Sequence, residues 1–142
     1  MDFIGNTVLP KEITLVASRG VTRESLPDAA AGRAIAQAAT SWLGDVLAAA
    51  TATAQHRPFG VFGSSISAMW LFGALRERIS FFVDEDPARI GRQCEGRPIL
   101  GPRDAPAGAT VFVPLISAIA TRVVDRYRDA PARFVTPPAQ PP

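Results

Sequence analysis

The sequence predicts an α/β domain: a small parallel sheet with flanking helices, preceded by a long N-terminal helix. Three observations predict it. The apolar run Phe59-Gly60-Val61-Phe62 leads into Gly63-Ser64-Ser65 and then into an apolar helix from about Ile66 to Arg78. A second apolar run, Ile79 to Val83, follows at once and ends on Asp84-Glu85-Asp86. The runs at 59–62, 79–83 and 111–113 are apolar but for Ser80, as strands buried on both faces require. Strands and helices alternating at this length favour parallel pairing with right-handed crossovers.

The elements follow in order. Residues 1–27 read as a lead-in segment whose one structured feature is a short β-type run, Glu12 to Ala17, after Pro10. A strand so isolated needs a partner, at a sheet edge, in a larger body, or across a dimer if the chain is an assembly module. Asp28, behind Pro27, is placed to cap a helix running to about Gln55. Ile35, Ala39, Trp42, Val46, Leu47 and Ala50 recur at helical spacing on its inward face. The α/β domain spans 28–130. Within it, Ala88 to Gly96 is an irregular stretch, Arg97 to Leu100 a short strand, Ala109 to Pro114 a buried strand, and Ile116 to about Arg128 an amphipathic helix turning Ile116, Ile119, Val123 and Tyr127 inward. Residues 131–142 form a proline-rich tail expected to fray.

Composition narrows the function. A chain of 142 residues holds one ordinary domain, and 47% hydrophobic against 20% charged residues is enough for a packed core. A net charge of +2 with scattered arginines gives no footprint for nucleic acid. Cys94 is the single cysteine, which excludes an internal disulfide and a cysteine-based zinc site and fits a reducing compartment. No secretory leader and no membrane span is legible, so the expected location is cytoplasmic. His56 ends a helix with no carboxylate near it in sequence, and Cys94 has no evident base. Trp42 and Trp70 lie at core spacing.

The chemistry-bearing pattern is the turn. A dinucleotide fingerprint asks for G-x-G-x-x-G/A between strand and helix. The matching frame here is Gly63-Ser64-Ser65-Ile66-Ser67-Ala68. The first glycine is present, Ser65 replaces the second, and Ala68 still permits close helix–strand packing. Helix N-terminal N–H groups favour phosphate at such a turn, and the hydroxyls of Ser64, Ser65 and Ser67 add donors. Asp84 stands 21 residues beyond Gly63, near the position that takes ribose hydroxyls. Arg89, Arg92 and Arg97 follow in the next loop, placed either to hold an anion or to pair with Asp84, Glu85 and Asp86.

These residues also form a recognisable pattern. Phe59-Gly60-Val61-Phe62-Gly63-Ser64-Ser65-Ile66, Met69-Trp70-Leu71, Phe81-Phe82-Val83-Asp84-Glu85-Asp86-Pro87, Arg89-Ile90-Gly91-Arg92 and Gly96-Arg97-Pro98-Ile99 resemble the C-terminal, Rossmann-like domain of C-methyltransferase-type S-adenosylmethionine-dependent methyltransferases. That group includes enzymes acting on nucleotide-activated sugars. The resemblance covers about residues 28–128. Leu9 to Leu15 is similar to the closing strand of the preceding methyltransferase domain. A weaker likeness exists to the N-terminal domain of sugar acyltransferases.

The resemblance implies a domain that helps bind the substrate while donor and catalytic residues lie elsewhere. No acidic-Gly-x-Gly-x-Gly donor motif occurs in these 142 residues. The resemblance therefore implies no catalytic residue and no cofactor bound by this chain, S-adenosylmethionine belonging to the missing domain. The positions carried over, as substrate contacts, are Gly63, Ser64, Ser65, Asp84 and Arg92. The implied partners are a small-molecule substrate or a separate methyltransferase domain, with no nucleic acid and no membrane, and self-association as an option. Two alternatives stay open: an NAD(P)-type dinucleotide-binding module, and a structural or assembly module without ligand.

Overall fold

A computed structural model of the chain describes residues 3–5, 14–16 and 28–140. The chain divides into two compact units, Met1–Ile35 and Ala36–Pro142. In the first, β1 (Phe3–Gly5) pairs antiparallel with β2 (Thr14–Val16), Phe3 opposite Val16. The run expected from Glu12 to Ala17 thus finds its partner within the chain. The rest of the lead-in, including the loop from Ser18 to Pro27, lies outside the described residues.

Helix α1 spans Ala29–Thr53. Asp28 caps it as expected, its Oδ1 accepting the Ala30 N–H at 3.0 Å. Only its second half is packed: Val46, Ala50 and the following Ala54 are buried, whereas Ile35 is 71% exposed and Ala39 is exposed too. The helical period is continuous, but the first turns are exposed, so periodicity there does not translate into burial.

The second unit is built on a six-stranded sheet. Its strands are β3 (Phe59–Phe62), β4 (Phe81–Val83), β5 (Gln93–Cys94), β6 (Arg97–Leu100), β7 (Thr110–Phe112) and β8 (Arg133–Val135), ordered β5-β6-β4-β3-β7-β8. Only β5 is antiparallel to its neighbour. Among the parallel strands the order reverses between β3 and β7, the topological switch of Rossmann-like sheets, where ligands bind outside the strands' carboxyl ends. Helix α2 (Ile66–Leu75) packs with α1 on one face, around Phe59, Val61, Phe82 and Phe112. Helix α3 (Ser117–Arg126) covers the other, around Phe62, Phe81, Val83 and Val111. Alternating residues of each strand feed the two cores, which is why these strands carry no polar face.

Four expectations change. First, the α3 face is rotated: Ala120 and Val123 are buried, while Ile116 and Ile119 are 49% and 37% exposed. Second, Trp70 is 38% exposed, not a core residue. Third, the stretch from Ala88 to Gly96 holds a strand, β5. Fourth, residues 133–140 are held rather than frayed. Phe134 is buried, Val113 N–H donates to Val135 O, Trp42 Nε1 donates to Pro138 O at 3.0 Å, and Gln140 N–H donates to Ser117 Oγ at 3.1 Å. Among the described residues no helix is long and apolar enough to cross a membrane.

Candidate functional site

Because β3 and β4 are parallel neighbours, with Phe62 opposite Val83, their carboxyl ends open onto one rim. Gly63 leaves β3 at φ +82°, a conformation that glycine adopts without strain, and its N–H reaches Val83 O at 2.6 Å. This left-handed step turns the chain from strand to helix and puts Ser64 beside Asp84. Ser65 occupies the N-cap of α2, yet its hydroxyl makes no capping bond.

Asp84 is buried and fully engaged. Its Oδ2 accepts the Ser64 hydroxyl at 2.7 Å and Arg89 Nη1 at 3.2 Å, and its Oδ1 accepts the Asp86 N–H at 3.0 Å. Burial pushes its carboxyl pKa up, but the Asp86 N–H, the Ser64 hydroxyl and Arg89 together outweigh burial and hold it below the ordinary value. Arg89 also donates to Ser64 Oγ at 3.1 Å and pairs through Nε with Asp86 at 3.4 Å. The loop that delivers it is an Asx turn, Asp86 Oδ1 accepting the Ala88 N–H at 2.9 Å. Half of the Arg89 side chain remains exposed. A guanidinium has five N–H donors, so part of that fork still faces the rim.

The structure therefore brings Gly63, Ser64, Ser65 and Asp84 to one place, and Arg92 makes none of the bonds of this cluster. Arg92 is exposed and closes the loop before β5 with its backbone, donating to Arg89 O and accepting from Ile99 N–H. Among the described residues its side chain makes no recorded bond. Arg89 takes the position imagined for Arg92, and Arg97 turns away to Glu77 at 2.6 Å. One cluster escaped the sequence altogether: Glu85 Oε1 accepts Tyr127 Oη at 2.5 Å and Arg126 Nη1 at 2.6 Å, tying the end of β4 to α3. Burial, with Glu85 adding to it, raises the Tyr127 pKa. No local spacing signals a bond across some forty residues. Burial likewise raises the Cys94 thiol, which Glu95 reinforces, so it is not a thiolate near neutrality.

The arrangement presents hydroxyls and an arginine fork at a parallel-sheet rim, chemistry that suits a phosphate or a sugar hydroxyl. Among the described residues no group of His, Cys, Asp and Glu could hold a metal ion. No family model, curated protein or solved structure matches the chain.

Proposed function

We propose that this domain binds a nucleotide-linked sugar, or a substrate of that chemistry, at the rim formed by Gly63, Ser64, Ser65 and Arg89, in the manner implied by its resemblance to the C-terminal domain of C-methyltransferases. The observation that carries this is the Ser64–Asp84–Arg89 cluster at the carboxyl ends of two adjacent parallel strands. Phosphate oxygens meet the exposed part of the Arg89 fork and the free Ser65 hydroxyl. Asp84 acts as a positioning residue, holding Ser64 and Arg89 in place.

Methyl transfer is assigned to a separate domain. The only strand–glycine–helix turn described in the chain has its neighbouring acid committed to Ser64 and Arg89, which leaves no free carboxylate for the ribose of S-adenosylmethionine. An NAD(P)-binding module ranks second, because Ser65 stands where its fingerprint asks for a second glycine.

Calorimetric titration of the full chain with several nucleotide-sugars tests the proposal. Binding weakened about tenfold or more by Arg89→Ala is the expected result, in line with loss of a charge-assisted contact. No heat from any nucleotide-sugar at millimolar concentration removes it.

A further inference from the structure

Beside the glycine turn lies an open groove of about 400 Å³, lined by Leu43 of α1 and by Ser65, Ile66, Ser67 and Trp70 at the start of α2. Among the described residues its lining contains no charged side chain. Leu43 is 44% exposed, Ile66 88% and Trp70 38%. Single apolar residues on a surface are ordinary, but these three come from two helices and converge on one concavity. Ile66 and Trp70 are neighbours at i and i+4, so the start of α2 turns an apolar stripe away from the core it otherwise serves.

We infer that this groove is the subsite for the base of the nucleotide, a planar heteroaromatic ring stacking on Trp70 between Leu43 and Ile66. The inference rests on the nucleotide-linked substrate proposed above and names where its ring goes. Three features select that occupant. The groove has the size of a small-ligand site and an apolar wall with few polar groups. An indole face accepts any base without needing a charge. Ser65 belongs to both the groove and the turn, so the two are continuous. Trp70 stands five residues along α2 from Ser65, about 7.5 Å along the helix axis, within the span of a nucleoside phosphate. The hydroxyls of Ser65 and Ser67 then lie where the ring edge or ribose passes.

The sequence has two tryptophans, so Trp42→Phe leaves Trp70 as the sole fluorescent reporter. In that background the full chain is titrated with UDP-glucose, UMP and glucose 1-phosphate. UDP-glucose and UMP should quench Trp70, and glucose 1-phosphate should not. By calorimetry Trp70→Ala, and independently Ile66→Asp at the most exposed position, should weaken UDP-glucose about tenfold and leave glucose 1-phosphate unchanged. Equal affinity of UDP-glucose for both variants and the parent, with no quenching, overturns the base subsite while the rim proposal stands. A dimer by light scattering that Trp70→Ala dissociates, with no quenching by UMP, also overturns it and makes the groove a self-association face. Absence of calorimetric heat from every nucleotide-sugar removes the rim proposal and the subsite with it.

Discussion

Ser64 and Asp84 are joined by a 2.7 Å hydrogen bond across the carboxyl ends of β3 and β4, with the Arg89 guanidinium closing the triangle. The bond links the residue after the turn glycine to the first residue beyond the next strand. It does for the rim what ladder bonds do for the strands, and it uses the acid that a nucleotide ribose would otherwise take. Asp84 is thus a structural carboxylate at the rim of the sheet.

Its titration has a definite sign. The folded pKa of Asp84 is depressed relative to the unfolded value of about 3.9. The carboxylate therefore contributes stability that is fully present above that value and is lost as pH falls through the folded pKa. Urea unfolding of the parent chain and of Asp84→Asn should differ most near pH 7. The gap should narrow below about pH 4, because the unfolded parent takes up a proton there first and the folded parent follows only below its depressed pKa. A gap independent of pH down to 2.5 contradicts the depressed pKa.

Gly60 lies inside β3 for a steric reason. A Cβ there would overlap the ring of Phe81, the buried residue opposite Gly60 on β4. Gly60→Ala should destabilise by about 1–3 kcal/mol through overpacking. Phe81→Leu alone should also destabilise, but combined with Gly60→Ala it should cost less than the sum, since each change relieves the other. Chemical denaturation of the four proteins of the cycle measures the coupling.

Much of this fold was legible because the strands carry their own label. Runs such as Phe81-Phe82-Val83 have no polar member, and that pattern belongs to parallel strands covered on both faces. The Gly63 turn and the Asp84 strand end were likewise visible, since a left-handed glycine and a strand-terminal acid are local signals. Arg89 against Arg92 was not decidable: both arginines sit in the loop between β4 and β5, and only the Asx turn at Asp86 determines which folds back. The exposure of Trp70 and Ile35 was hidden for the converse reason. Helical spacing says which residues share a face, but not whether anything covers it.

The tail shows the same limit. Composition made residues 131–142 look like a frayed end, yet Phe134 is buried at 6% exposure, and its ring meets Phe62 at 6.3 Å and Tyr127 at 5.4 Å. Three residues between prolines suffice for a strand when a parallel neighbour, β7, supplies the ladder. Phe134→Ala should lower stability by about 3–5 kcal/mol, as for other large core aromatics. An unstructured tail would show no change in the unfolding midpoint.

The hairpin joining β5 and β6 went unseen because its turn lacks the usual residues. Cys94 faces Arg97, leaving Glu95 and Gly96 as a two-residue connection with φ of +51° and +71°. Both central positions are left-handed, the geometry that favours Asn-Gly, and here Glu occupies the first. A glutamate in that region costs roughly 1 kcal/mol relative to a residue that adopts it readily. Glu95→Asn should therefore stabilise the domain by about 0.5–1 kcal/mol. Gly96→Ala should destabilise it by a comparable amount, for backbone reasons alone, since no neighbouring atom lies within 4 Å of a Cβ at that position. Thermal unfolding of the two variants should move in opposite directions from the parent. If both fell, Glu95 would be making a contact that outweighs its strained backbone.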